Sequence, residues 1–364
     1  MRKKNIIIGG GGTGGHIFPA LAIANALKEI EPDTEILFVG ALGRMEMEKV
    51  PKAGYEIIGL PVMGFPRKPS VKLLKFIIGL LKSLKMAKKI IKDFNPDAVV
   101  GVGGYASGPI LRVAVKNNIP SLIQEQNSYP GITNKLLAKK VDTICVAYDN
   151  MDRFFPKEKI SKTGNPVRED LLKTPEKTPE AFKYFEIDDK VPVILSLGGS
   201  LGAKTINLSI AKNIKQIANA NVQFLWQTGV SFYKEASELA AEYVNIKVYD
   251  FIYRMDYAYS VADIVISRAG ASTISELCLL QKPAIFVPSP NVAEDHQTKN
   301  AKSLSDKDAA IMISDMEAPD KLIPEALELL NDVNRQETYR KNIKTFAVNN
   351  SAQIIAKKVF ELVK

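Results

Sequence analysis

Histidine and cysteine are scarce in this chain of 364 residues, with two of each. Cys145 and Cys278 lie far apart in apolar contexts. They read as two buried, inert thiols, which fits a reducing cytoplasm. Two cysteines cannot build a zinc or iron–sulfur site, and no metal site is expected. Long hydrophobic runs are missing too. No apolar stretch reaches the ~20 residues that span a bilayer. The start, Met1 to Ile8, is basic and then apolar like the opening of a signal segment, but it dissolves at once into glycines. The expectation is a soluble or peripheral protein. In the glycine-rich turns no glycine is followed directly by lysine, which excludes a Gly-Lys-Ser/Thr phosphate loop. The lysines scatter without aromatic residues interleaved for stacking, which argues against a nucleic-acid partner.

What is present is an ordinary globular composition, 46% hydrophobic and 24% charged, with a net charge of +9. At ~150 residues per domain the length suggests about two domains. The positive balance permits an anionic partner such as a charged substrate or an acidic lipid surface.

Short apolar segments alternate with longer helical ones. Strands are expected at Asn5–Ile8, Glu35–Val39, Glu56–Leu60, Ala98–Val102, Ser121–Glu125 and Asp142–Ala147. A second series is expected at Pro192–Leu197, Gln223–Gln227, Ile246–Tyr249, Asp263–Ser267, Ala284–Pro288 and Ala310–Ser314. Near-continuous apolar strands between helices predict parallel sheets covered on both faces. The expected class is α/β, with two Rossmann-like doubly wound domains facing across a cleft. Glycine and proline punctuate Lys162-Thr163-Gly164-Asn165-Pro166, so the domains are expected over 1–163 and 164–340. A last helical pattern, within 341–364, is expected to return to the first domain.

Three glycine-rich turns sit between a strand and a helix. They are Gly9-Gly10-Gly11-Gly12-Thr13-Gly14-Gly15-His16, Gly101-Val102-Gly103-Gly104-Tyr105-Ala106-Ser107-Gly108 and Gly198-Gly199-Ser200-Leu201-Gly202-Ala203. Such turns let backbone approach a ligand, and a helix start offers N–H groups to an anion. Ligands of doubly wound sheets bind beyond the carboxyl ends of the strands. The three turns therefore point to a phosphorylated ligand. The first one matches Gly-x-Gly-x-x-Gly, yet the second strand ends Phe38-Val39-Gly40 without the acid a dinucleotide ribose wants. Arg44 leaves an NADP reading open.

His16 stands at a helix start on the first turn, suited to proton transfer near neutral pH. His296 has a neighbour, Gln297, that reads as the better ligand contact. In the second half, Arg268-Ala269-Gly270-Ala271-Ser272-Thr273-Ile274-Ser275-Glu276 follows a strand with small residues and then a carboxylate. Glu276 can take the two hydroxyls of a ribose. Helix capping by Ser272 is the alternative. Asp306-Lys307-Asp308 reads as a solvated loop, not as a metal motif.

Seven stretches in this order resemble one family. They are Gly-Gly-Thr-Gly-Gly-His, Gly-Gly-Tyr-x-Ser-Gly, Glu-Gln-Asn, Gly-Asn-Pro-Val-Arg, Gly-Gly-Ser-x-Gly-Ala, Ser-Glu and Asp-His-Gln. Together they resemble the bacterial peptidoglycan N-acetylglucosaminyltransferases that act on undecaprenyl-pyrophosphoryl-N-acetylmuramoyl-pentapeptide. The resemblance implies a GT-B glycosyltransferase that inverts the anomer, uses UDP-N-acetylglucosamine and needs no cofactor. It implies donor contacts from Thr13, Gly14, Gly15, Asn127, Arg168, Ser200, Ile252, Ala271, Ser272, Thr273, Ile274, Ser275, Glu276 and Gln297. The first domain would take the lipid acceptor and the second the donor. Gly103, Gly104 and Tyr105 would hold the acceptor pyrophosphate. His16 is the expected base for the acceptor C4 hydroxyl. Leu201 departs from the glutamine usual in the family, which puts one polar donor contact in doubt. A diacylglycerol glycolipid synthase, a sugar-nucleotide epimerase and a non-catalytic nucleotide-sugar sensor are the competing readings.

A lipid acceptor calls for a membrane-facing surface. On a helical wheel of Pro69 to Lys92, Leu73, Ile77, Leu80, Leu84 and Ile91 form one face, expected in the core. Leu74, Ile78 and Leu81 spill onto a second face beside Lys75, Lys82, Lys85 and Lys89, with Phe65 and Phe76 near. This reads as an interfacial patch for the anionic cytoplasmic face of the bacterial membrane. A fully buried amphipathic helix is the alternative.

Overall fold

In the computed structural model, residues 3–64, 71–168, 171, 173–199 and 202–363 are described. The chain divides into two units, Met1–Val167 with Val348–Lys364, and Arg168–Ala347.

The first unit is a seven-stranded sheet in the order β3-β2-β1-β4-β5-β6-β7. Its strands are β1 Asn5–Gly9, β2 Glu35–Ala41, β3 Glu56–Leu60, β4 Ala98–Gly101, β5 Ser121–Glu125, β6 Thr143–Val146 and β7 Ile160–Lys162. Every pairing is parallel, with Ile7 opposite both Leu37 and Val99. Successive side chains of β1 enter opposite cores, as the pleat requires. Ile6 and Ile8 pack with Ile17, Ile23 and Leu27 of α1, Gly14–Ile30, and with Ile355 and Val359 of the C-terminal helix Ser351–Leu362. Ile7 packs on the other face with Ile90 of α3, Val71–Phe94, and with Ile110 and Leu111 of α4, Ser107–Lys116. Apolar strands covered on both sides are the reason for the continuous Ile, Val and Leu runs.

The second unit has six parallel strands in the order β10-β9-β8-β11-β12-β13. They are β8 Val193–Leu197, β9 Gln223–Gln227, β10 Ile246–Tyr249, β11 Ile264–Ser267, β12 Ala284–Phe286 and β13 Ile311–Met312. Both sheets begin with the doubly wound order 3-2-1-4-5-6, so the α/β reading from strand alternation holds. One strand escaped it. β7 is a three-residue edge strand, Ile-Ser-Lys, too short and polar to stand out from loop.

Helix α3 departs in part from the expected pattern. Ile77, expected in the core, is 45% exposed. Of the expected face, Ile91 is buried and Leu84 packs against the core, and Ser83, Ala87 and Ile90 complete the inward side. The first half of the helix therefore bares apolar side chains broadly, with Leu74 60%, Ile78 45% and Leu81 62% exposed. Phe65 lies outside the described residues. Among the described residues no helix is long and apolar enough to cross a membrane.

Candidate active site

Doubly wound sheets bind ligands where the strand order reverses, beyond the carboxyl ends of the two strands that flank the reversal. In the first unit that point lies between β1 and β4. The loop after β1 carries Gly10 to Thr13 and enters α1. The loop after β4 carries Gly103 and Gly104, with φ of +90° and +80°. A Cβ at Gly104 would stand 2.2 Å from the Gly11 carbonyl oxygen, and one at Gly103 would stand 2.9 Å from His16 Nε2. Only glycine lets the two loops close on each other in this way.

His16 lies at their junction. Its Nδ1 is 3.0 Å from the Gly11 carbonyl oxygen and 3.3 Å from Thr13 Oγ1. A carbonyl only accepts, so Nδ1 is the donor of that bond. In the neutral ring Nε2 is then the acceptor nitrogen, on the edge that meets Gly103. The Ser107 hydroxyl donates to the Gly104 carbonyl at 2.9 Å and fixes the second turn. Tyr105, next along, is 56% exposed.

Asn127 is displayed by a buried carboxylate. Glu125, at the end of β5, accepts from the Asn127 backbone N–H at 3.0 Å, Asn127 Nδ2 at 3.3 Å, the Gly131 N–H at 3.1 Å and Asn134 Nδ2 at 2.8 Å. Burial pushes its carboxyl up, and these bonds oppose that shift. Glu125 is thus a scaffold for the turn. Asn165 joins the same network, accepting from Gln124 Nε2 at 2.9 Å and donating to the Gln126 carbonyl at 3.0 Å.

In the second unit the reversal lies between β8 and β11. Helix Ala271–Leu279 starts after Arg268-Ala269-Gly270, with Gly270 as its N-cap and no side-chain cap bond. Capping by Ser272 is therefore not what the sequence does here. The Ser272 hydroxyl is buried and has no hydrogen-bond partner among the described residues, a cost that a ligand atom would relieve. Ser275 donates to the Ala271 carbonyl at 3.0 Å. Glu276 Oε2 accepts from the hydroxyl of Tyr259 at 2.8 Å. Burial and the neighbouring Glu276 raise the Tyr259 phenol far above its ordinary range, while the positive charge of Arg168 opposes this. Arg168, Tyr259 and Glu276 thus form one electrostatic group. Gln297 Oε1 accepts from the Ser289 N–H at 2.9 Å, which draws the start of helix His296–Ser305 toward the loop after β12. Arg268 is committed elsewhere. Its guanidinium pairs with Asp315 and donates to the carbonyls of Val287 and Pro288.

The third glycine turn is braced by Gln227, at the end of β9. Its amide accepts from the Gly198 N–H at 3.0 Å and donates to the carbonyls of Gly199 at 2.9 Å and Asp250 at 3.1 Å. That ties the turn to the segment holding Ile252, whose side chain is buried. Ser200 and Leu201, the expected phosphate contact and the departure beside it, lie outside the described residues. Asp306, Lys307 and Asp308 are exposed. Among the described residues no group of three or more His, Cys, Asp or Glu side chains could hold a metal.

Sequence reasoning missed Gln227, Tyr259 and Glu46. Gln227 and Tyr259 are polar residues beside apolar runs, a signal that marks a buried polar contact without naming its partner. Glu46 sits among charged neighbours, Arg44, Glu48 and Lys49, and carries no such signal.

Comparison with known proteins agrees across the whole chain. The glycosyltransferase family 28 N-terminal domain matches residues 6–146, and the family 28 C-terminal domain matches residues 193–356. The chain is 56% identical to a UDP-N-acetylglucosamine--N-acetylmuramyl-(pentapeptide) pyrophosphoryl-undecaprenol N-acetylglucosamine transferase of Parabacteroides distasonis, covering 100% of this chain and 99% of that one. A protein of the same description from Cytophaga hutchinsonii is 54% identical, over 100% of this chain and 98% of its own. Among solved structures, Acinetobacter baumannii MurG superposes with a TM-score of 0.77 at 30% identity, covering 98% of this chain and 99% of that one. A UDP-GlcNAc 2-epimerase of Neisseria meningitidis, at 17% identity and a TM-score of 0.71 over 99% of this chain and 100% of that one, shares the fold alone.

Proposed function

This chain belongs to glycosyltransferase family 28, and we infer from that membership and from the two loop sites how it carries out its reaction. It is an N-acetylglucosaminyltransferase that moves the sugar from UDP-N-acetylglucosamine to undecaprenyl-pyrophosphoryl-N-acetylmuramoyl-pentapeptide, giving the disaccharide lipid precursor of the cell wall. The full-length likeness carries the choice of substrates.

In the mechanism we propose, the acceptor C4 oxygen attacks the anomeric carbon of the donor. Its proton passes to His16 Nε2 as the new C–O bond forms. The bond from the anomeric carbon to the diphosphate breaks, and UDP leaves with the electron pair, so the anomer inverts. The orientation of the His16 ring supports this role, because its acceptor nitrogen lies on the edge that meets the Gly103 turn. Gly103, Gly104 and Tyr105 receive the acceptor pyrophosphate. Thr13, Gly14 and Gly15, at the start of α1, offer N–H groups and helix-dipole charge to the donor diphosphate as it gains charge. Asn127 meets the donor sugar, and Gln297 its hydroxyls. Arg168 and Ser200 hold phosphate. Ile252 meets the uracil through its backbone. Ala271 to Glu276 cradle the nucleotide, with Glu276 on the ribose. The orphan hydroxyl of Ser272 supports a ligand at this helix start.

We propose peripheral attachment to the cytoplasmic face of the membrane through α3. Leu74, Ile78 and Leu81 are exposed in a helix that also carries Lys75, Lys82, Lys85 and Lys89. Apolar side chains among lysines suit an anionic headgroup layer. Cys145 and Cys278 are free and buried, each thiol pushed up to about 12 by burial, which suits a reducing compartment. Replacing Leu74 and Ile78 together by glutamate is expected to cut binding to anionic vesicles about tenfold or more, given ~1.5–3 kcal/mol for each buried side chain. Flotation with and without anionic lipid measures it, and unchanged binding by the folded variant removes the patch from the account.

The reaction itself is tested with radiolabelled UDP-N-acetylglucosamine and the monosaccharide lipid acceptor. Label is expected in a disaccharide lipid only when the muramoyl acceptor is present. A folded, UDP-binding protein that labels diacylglycerol and not this lipid would overturn the reading.

A further inference from the structure

Glu46, the first residue of α2, Glu46–Lys52, is only 1% exposed, yet it meets no cation within 4 Å among the described residues. Both of its oxygens are spent on backbone. Oε1 accepts from the Ala41 N–H at 2.9 Å, and Oε2 accepts from the Gly12 N–H at 2.9 Å. A Cβ added at Gly11 would stand 2.1 Å from Oε1, so the carboxylate lies directly against the Gly11–Gly12 peptide.

That peptide is the one whose carbonyl meets His16. The Gly12 N–H goes to Glu46, and the Gly11 C=O receives His16 Nδ1 at 3.0 Å. In a trans peptide the N–H and C=O point in opposite directions within one rigid plane. The chain has no cis bond among the described residues. Anchoring the N–H on one side therefore aims the carbonyl on the other. Glycine on both sides of the bond would otherwise let this plane turn with little steric cost.

We propose that Glu46 is a positioning residue for the transfer reaction. By fixing the Gly11–Gly12 peptide plane it selects the Nδ1–H tautomer of His16, which leaves Nε2 to take the proton. Carboxylate-based bonds to N–H groups are the stronger kind, and a carboxylate serves two donors where a carboxamide oxygen with its adjoining NH2 serves one. The proposal rests on His16 as the base, but the ring state can be read without turnover.

With only two histidines in the chain, the imidazole nitrogens of uniformly 15N-labelled protein give two rings, and a His296→Gln variant assigns them. At a pH where the ring is neutral, wild-type His16 is expected with Nδ1 protonated and Nε2 bare. In Glu46→Gln the two tautomers are expected to mix, and kcat to fall by up to about 10²-fold, the cost of a small misplacement. UDP affinity in the second unit should be unchanged, which also reports folding. Glu46→Asp keeps the charge but withdraws it by one methylene, and an intermediate tautomer ratio is expected. A wild-type ring protonated at Nε2 overturns the proposal, whatever the variants do. So does a tautomer that stays put in both variants. Should His16→Ala turn over normally, the base assignment fails, and the ring measurement still decides the role of Glu46.

Discussion

At the reversal point of the seven-stranded sheet, the loops close on a ring nitrogen. At the same point of the six-stranded sheet, they present hydroxyls, N–H groups and a carboxylate held by a tyrosine. The strand order through the reversal is the same in both units. What differs is what the loops after the strands carry and what fixes them. In the first unit two buried carboxylates, Glu46 and Glu125, spend themselves on backbone N–H groups to shape turns. In the second unit an amide, Gln227, and a phenol, Tyr259, do the bracing. One topology thus carries two differently built loop ends, and in the proposed mechanism that loop chemistry divides the labour. Under the proposed mechanism, proton transfer falls to the first unit and recognition of the uridine to the second.

That division can be broken, and the sharpest blow is His16→Ala. Turnover is expected to fall roughly 10²–10⁴-fold, the usual yield of a general base. UDP affinity, measured by calorimetry, should hold. Weaker UDP binding with intact chemistry would move His16 to the donor side. Next in size is Glu276→Ala. A lost hydrogen bond to a charged group costs ~1.5–3 kcal/mol, so UDP affinity should drop about 10–100-fold. The preference for UDP over its 2′-deoxy analogue should vanish with it, and a preserved preference would take Glu276 off the ribose. Tyr259→Phe sharpens the comparison with the smallest effect. It removes the 2.8 Å bond to Glu276 and keeps the ring. One net hydrogen bond of ~0.5–1.5 kcal/mol predicts a UDP affinity lowered about 2–10-fold with kcat little changed. A fall in kcat alone would make Tyr259 part of the chemistry.

The glycine turns were legible because close approach excludes every side chain, and that exclusion is written in the residues themselves. The strands were legible because burial on both faces leaves long apolar runs. Edge strand β7 was not, since an edge tolerates Ser and Lys and three residues carry no period. Ile77 misled because a helical wheel assigns a face but not how far along the helix the core reaches. Leu84 and Ile91 on that stripe pack inward, while Ile77, earlier in the helix, is exposed. The bracing residues were the least legible. Glu46 reaches Gly12 across 34 positions, Gln227 reaches Gly199 across 28, and Tyr259 reaches Glu276 across 17. Such pairs form only when the fold returns one loop to another, and no local pattern announces them. His16 stood out by its scarcity and its loop, but the bond of its Nδ1 to the Gly11 carbonyl needed the fold.

The division of labour is tested most directly by a double-variant cycle on kcat/KM for UDP-N-acetylglucosamine with His16→Ala and Glu276→Ala. Groups that share no partner and act on different parts of the reaction lose transition-state stabilisation independently, to within ~0.5 kcal/mol. The two losses are expected to multiply in the double variant. A double variant no slower than His16→Ala alone would mean that the two residues act as one catalytic unit, and it would contradict the account.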